Sequence, residues 1–178
     1  FLKVAEWGIR PLTKLSALRG TSKKLVTITL REAVHHPARN SNVPEWIAAY
    51  HTLVARGYDV IVIRDTHTSS QSDLKGVNVS QLASLDLMTR ATFYSSAVMN
   101  LGINNGPMWM AILMDAPVLM LRPTTESLGG CYDSQYFKHC GLPPGAQLPT
   151  SPPYQRIAWE LDTHDNIIRA FDGVMRYV

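Results

Sequence analysis

Residues 100–122 read NLGINNGPMWMAILMDAPVLMLR, and the architecture follows from how they divide. Residues 101–103 close an apolar run, and Asn104-Asn105-Gly106-Pro107 turns the chain. Residues 108–114 form a short apolar helix, Ala116-Pro117 breaks it, and residues 118–121 are a continuous apolar strand. A strand feeding a glycine turn that opens a helix leaves backbone N–H groups aimed at one spot. Such a spot attracts phosphate or another anion. Asn tolerates the left-handed conformations such a turn can require, and Gly lets a ligand approach the backbone closely.

Working outward, LVTITL (25–30) is a strand of β-branched residues, followed by a polar loop from Arg31 to Asn42. Pro44 and Glu45 mark a helix start, Trp46, Ile47, Tyr50, Leu53 and Val54 form its apolar stripe, and Gly57 ends it. YDVIVI (58–63) is a second strand, apolar enough to be buried on both faces. Residues 66–84, rich in Ser, Thr, Gln and Asn, make a loop long enough to be either functional or mobile. Residues 85–99 are helical by spacing, 123–153 read as irregular, 156–161 are a last strand, and 163–178 a closing amphipathic helix. Strands alternating with helices predict a doubly wound, Rossmann-like α/β sheet of about five parallel strands, ordered 3-2-1-4-5, over residues 23–178. Residues 1–22, with Leu2, Ala5, Ile9, Leu12, Leu15 and Leu18 at mostly helical spacing around Pro11, read as a kinked helix or connector. Its apolar face needs a partner in this domain, in another domain or at a membrane surface.

In such a sheet, ligands bind past the carboxyl ends of the strands at the switch point. The loop after the first strand and the turn at Asn104 both fall there. Arg39, with Asn40 and Ser41, is placed to clamp a phosphate, since an arginine fork matches phosphate geometry. Arg31, directly after the first strand, is either a crevice cation or a solvated charge. Arg122 after the fourth strand either meets a phosphate or caps the strand. Arg64-Asp65-Thr66 ends the second strand, where a nucleoside is often contacted, with a structural ion pair as the alternative. Glu126 is a candidate for a ribose. The turn itself contributes Asn104, Asn105, Gly106, Pro107 and Met108.

The 178 residues suffice for one ordinary domain or half of a two-domain protein. With 46% hydrophobic and 17% charged residues, a substantial core forms. The net charge of +3 is mildly basic and dispersed, which argues against a dedicated nucleic-acid binder. It fits a protein that handles a phosphorylated small molecule or docks weakly on an anionic surface. Cys131 and Cys140 match no common zinc spacing and read as two reduced loop thiols, with a local disulfide as the alternative. His35-His36 point apart on an extended segment, and His67 and His139 belong to no carboxylate cluster, so none reads as a metal ligand. The methionines at 108, 110, 114 and 120 read as core filler. No apolar run approaches a membrane span. Without an initiator Met or a signal-peptide pattern, residue 1 reads as an internal position of a longer product.

Three stretches together resemble the C-terminal, donor-binding half of GT-B glycosyltransferases, especially the family 9 heptosyltransferases. RNSNVPEWIAAYHTLVARGYDVIVI (39–63) is similar to the family's basic residue, Trp-Pro, helix and strand. SLDLMTRATFYSSAVMNLGINNGPMWMA (84–111) resembles its helix, strand and D-S-G-P-M-H-L-A turn, and APVLMLRPTTE (116–126) its following strand and loop. Gly106, Pro107, Met108 and Ala111 fit the turn. Asn104 stands where the family commonly has Asp, Asn105 where it has Ser or Thr, and Trp109 where it has His. The resemblance implies transfer of a sugar from a nucleotide-diphosphate donor to a glycan or lipid-linked acceptor, with no metal and no further cofactor. It also implies an N-terminal Rossmann half that brings the acceptor and the catalytic acidic residue, and a cytoplasmic place at or near the inner membrane in cell-envelope polysaccharide synthesis. It assigns no catalytic residue to this chain. Two other readings stay open: a non-catalytic nucleotide- or sugar-phosphate-binding or docking module, and a fucosyltransferase-like GT-B domain in which Arg31 does the phosphate work.

Overall fold

The computed structural model describes residues 24–129 and 132–178. The expected connector at 1–22 lies outside them. Five parallel strands form one sheet: β1 (Leu25–Thr29), β2 (Asp59–Ile63), β3 (Met99–Ile103), β4 (Val118–Leu121) and β5 (Gln155–Ala158). They lie in the order β2-β1-β3-β4-β5. The α/β doubly wound class is as the sequence suggests, but the order 3-2-1-4-5 is not. The place of a further strand outside β2 is taken by a single parallel bridge between Val62 and Val79. The residues around Val79 are too polar and too few to pair further, so the chain crosses back over β1 and its next full strand lies on the other side. The switch point therefore falls between β1 and β3.

Alternation along the strands sorts their side chains to two faces. Val26, Ile28, Val60, Val62, Leu119 and Leu121 meet α1 (Val43–Ala55) and α6 (His164–Val174) through Trp46, Leu53, Ile167 and Phe171. Leu25, Ile61, Ile63, Val118 and Met120 meet α2 (Gln81–Leu85), α3 (Leu87–Ser96) and α4 (Gly106–Leu113) through Ala83, Phe93, Tyr94, Met108 and Ala111. The four inner residues of β2 are all buried, as a strand covered on both faces requires.

The helix boundaries shift where side chains cap them. Ser80 caps α2 and Asp86 caps α3, accepting from Ala83 N and Thr89 N, so the end of the expected long loop and the start of the expected 85–99 helix become two short helices. A short α5 (Ser134–His139), capped by Asp133, interrupts the stretch read as irregular. No helix among the described residues is long and apolar enough to cross a membrane.

Polar groups sit in the middle of the sheet where β1 and β3 touch. Thr27 Oγ1 donates to Asn100 Oδ1 at 2.6 Å, and Asn100 Nδ2 donates to Tyr94 O and Pro117 O. Thr29 Oγ1 shares a 2.8 Å hydrogen bond with the buried Tyr94 hydroxyl. Each buried group finds a partner, as burial demands. Burial is the main reason the Tyr94 phenol is pushed above its usual range. At Gly102 an added Cβ would lie 2.8 Å from Met108 Sδ and 3.0 Å from Thr29 O. This bare position lets α4 start directly against the β1–β3 seam.

Candidate functional site

Three loops meet at the carboxyl edge of the switch point: the β1–α1 loop, the β3–α4 turn and the segment after β4. The turn is rigid. Asn105 is extended (φ −151°) and caps α4, its Oδ1 accepting from Met108 N at 3.0 Å. Asn104 Oδ1 accepts from Trp109 Nε1 at 2.9 Å, and its Nδ2 donates to Pro123 O at 2.7 Å. Neither asparagine uses the left-handed backbone that this residue type tolerates, and Asn105 makes its capping bond from an extended conformation. The expected set of free amides also shrinks. Pro107 has none, and that of the buried Met108 is used by the cap, so Gly106, exposed at the tip, carries the first-turn N–H that remains for a ligand. A Cβ on Gly106 would meet nothing within 4 Å. The protein itself does not require glycine there.

Facing this turn is the β1–α1 loop, held by two arginines. Arg31, nearly buried, donates to His35 O at 2.9 Å and to His36 O at 3.2 Å, and it also bonds Asn40 Oδ1. The buried Ser41 hydroxyl accepts from Arg31 N at 2.9 Å. Arg122 reaches from the end of β4 to Ala38 O at 3.0 Å, Arg39 O at 3.2 Å and Asn40 O. Its backbone is left-handed (φ 44°), a conformation a non-glycine residue adopts only when its surroundings hold it there. Both arginines thus wrap the carbonyls of residues 35–40, and His36 takes a positive φ of 56° to let the loop close around them. The crevice-cation and phosphate readings of Arg31 and Arg122 meet this fact: Arg31 gives two bonds to backbone carbonyls and one to the Asn40 side chain, and Arg122 three to backbone carbonyls.

Arg39 is different. It ends a single 3₁₀ turn, Pro37–Arg39, and its Nη2 donates to Asn104 O at 3.3 Å, across the switch point. Among the described residues this is the one hydrogen bond of its side chain. Its guanidinium carbon lies 4.0 Å from the centre of the Tyr132 ring, which in turn tilts against His36 at 5.5 Å. Burial first, then the charge of Arg39 and more weakly that of Arg122, presses the Arg31 guanidinium below its usual range, with Asp65 and Tyr132 opposing. Three cations are therefore crowded together. Asp162 ion-pairs with one of them, its Oδ1 lying 3.1 Å from Arg122 Nε. Asp162 also accepts from Asn42 N and Trp46 Nε1, each at 2.8 Å, tying the start of α1 to the same point. Tyr132 and Asp162 were not singled out in the sequence. Nothing local marks them, since each matters only through a partner far along the chain.

The candidate nucleoside residues are otherwise engaged. Arg64 is buried and its guanidinium bonds Glu32 at 2.5 and 2.8 Å and also Asp73. Its hydrogen bonding to the Glu32 carboxylate is the main reason its pKa is raised. This is the ion-pair alternative, and it fastens the 64–80 loop to the end of β1. Asp65 Oδ2 accepts from Glu32 N at 2.6 Å, Thr66 Oγ1 donates to Ser84 O at 3.2 Å, and Glu126 accepts from Ser134 N at 3.0 Å and its hydroxyl at 3.1 Å. Cys140 is an exposed free thiol, while Cys131 lies outside the described residues. No group of three His, Cys, Asp or Glu side chains among the described residues is placed to hold a metal ion.

No family model and no curated protein matches the sequence. Solved structures do resemble the fold. The ADP-heptose LPS heptosyltransferase II of E. coli superposes with a TM-score of 0.62 at 11% identity, over 92% of this chain and 50% of that one. A glycosyl transferase family 9 protein of Veillonella parvula gives 0.57 at 12% identity, over 93% and 50%. A proposed UDP-N-acetylglucosamine 2-epimerase of Listeria monocytogenes gives 0.50 at 15%, over 95% and 40%. The chain has the α/β Rossmann-like architecture of a GT-B half-domain, and spans about half the length of the structures it resembles.

Proposed function

We propose that the edge between β1 and β3 binds the diphosphate of a nucleotide sugar, and that the chain is the donor-binding half of a GT-B glycosyltransferase. The observation that carries this is the gathering of Arg31, Arg39 and Arg122 at the 35–40 loop, where Arg31 and Arg122 both bond Asn40 and Arg39 reaches across to Asn104 O, beside the exposed Gly106 amide. A dianion placed there relieves cation repulsion that Asp162 offsets only in part. Arg39 has the free donors to take it. Arg31 and Arg122 supply charge and hold the loop. The diphosphate reading is supported by two of the similar proteins, which are named for ADP-heptose and UDP-N-acetylglucosamine, both sugars carried on a nucleoside diphosphate. In transfer, the bond from the anomeric carbon to the diphosphate oxygen breaks as the acceptor oxygen bonds that carbon. The leaving group's charge is then stabilised by Arg39 and the turn amide. The acceptor's proton goes to a base outside the described residues.

One observation favours the alternative of a non-catalytic binding or docking module: both polar atoms of Asn104 and the amide of Met108 are closed off within the turn. The fucosyltransferase-like reading asks Arg31 to contact phosphate, whereas Arg31 spends its donors on residues 35, 36 and 40. Calorimetric titration with ADP, UDP, GDP and pyrophosphate tests the site, and no heat from a folded sample at millimolar ligand refutes it. Arg39→Ala lowers affinity at least tenfold with little change in stability. Arg31→Ala lowers stability as well, because residues 35–40 lose their anchor. A larger affinity loss from Arg31→Ala at unchanged stability would instead favour the fucosyltransferase-like reading. Release of free sugar from a nucleotide sugar, above the uncatalysed rate, separates the transferase from the module.

A further inference from the structure

We propose that Tyr132 is the positioning residue of this site: its ring holds the Arg39 guanidinium flat, so that the unused edge of the fork points to the bound diphosphate. The inference rests on the diphosphate reading above. Arg31 and Arg122 are each fixed by several carbonyl oxygens, but the Arg39 side chain has one long hydrogen bond among the described residues, 3.3 Å to Asn104 O. A long side chain held by one weak bond samples many rotamers, and a diphosphate would have to order it at the moment of binding. The Tyr132 ring removes that freedom. A guanidinium stacked by its face on an aromatic ring keeps its in-plane N–H groups free, and the Arg39 guanidinium carbon lies over the Tyr132 ring, 4.0 Å from its centre.

Tyr132 is itself fixed by the backbone. Thr125 N donates to Tyr132 O at 2.6 Å, and Tyr132 N donates to Gly129 O at 3.3 Å, which ties Tyr132 back to the segment after β4. Gly129 has a φ of 60°, which suits glycine at this turn. His36 packs against the ring at 5.5 Å. The segment after β4 thus reaches over to support a residue from the loop after β1, which is how a third loop comes to serve a crevice between two strands. The Tyr132 hydroxyl has no part in this role.

The test is calorimetric titration of the full chain with inorganic pyrophosphate and with ADP. Tyr132→Phe keeps the ring and binds within twofold of the unmodified chain. Tyr132→Leu loses the cation–π contact and binds about three- to tenfold more weakly. In the Arg39→Ala background, Tyr132→Leu has no further effect. If the Leu variant does not fold, judged by circular dichroism, Tyr132→Met takes its place with the same expectation. Leu or Met binding equal to the unmodified chain, or an equal loss in the Arg39→Ala background, overturns the positioning role while leaving the diphosphate site standing. Failure of the unmodified chain to bind either ligand overturns both.

Discussion

At the level of single residues, two glycines that look alike in the sequence behave in opposite ways. Gly102 is needed by the fold. Its Cβ would collide with Met108 Sδ and Thr29 O, so Gly102→Ala costs about 1–3 kcal/mol in chemical denaturation. Gly106 faces open space. Gly106→Ala leaves stability within about 0.5 kcal/mol, yet weakens diphosphate binding if a ligand approaches that amide. Equal affinity for the Gly106→Ala variant would remove the turn amide from the site and leave the arginines alone. The turn around Gly106 was legible from its residues, but the importance of Gly102 was not. Its constraint comes from a methionine six positions later and a carbonyl on another strand. Arg39 could be picked out by type and place. That it is less committed than Arg31 or Arg122 could not, because the acceptors of those two are mostly backbone carbonyls, which every sequence has.

Among the elements, the long helices were visible because one buried face fixes their periodicity, and the strands because burial on both faces makes them continuous, largely apolar runs. Caps moved their ends, and the two short helices replaced part of a loop for the same reason. The strand order was misplaced because the number of strands on each side of β1 depends on whether the chain near Val79 can pair beyond one residue, and no local pattern encodes that. The long 64–80 segment is secured by Arg64, Glu32 and Asp73 as well as by Leu74, Val77 and Val79, which pack against the core. The Arg64 hydrogen bond holds the Asp73 carboxyl below its ordinary range. A depressed folded-state pKa means this contribution is complete above the unfolded carboxylate value, about pH 4, and is lost as pH falls through the folded value. Amide hydrogen exchange in residues 65–80 should therefore quicken below about pH 4, ahead of the sheet. In Asp73→Asn the segment should already exchange faster at neutral pH, with no further acid step. Uniform exchange with the sheet would mean that other contacts hold it.

For the whole molecule, a ligand that bridges the β1–α1 loop and the β3–α4 turn binds only the folded chain. A nucleoside diphosphate at a hundredfold its Kd adds about 2.7 kcal/mol. In a domain of this size that raises Tm by roughly 5–10 °C, with the gain shrinking as salt screens the arginines. An unchanged melting curve across millimolar ADP, UDP and GDP contradicts the proposal independently of calorimetry. Asp162 brings stability and affinity into conflict. Its two oxygens gather Asn42 N, Trp46 Nε1 and Arg122 Nε, so Asp162→Asn loosens the joint and costs on the order of 3 kcal/mol. The same substitution deletes the negative charge that a polyanion must compete with. The weaker protein should be the stronger anion trap, several-fold tighter for pyrophosphate at low ionic strength, as if one anchor were holding the doorway both upright and half shut.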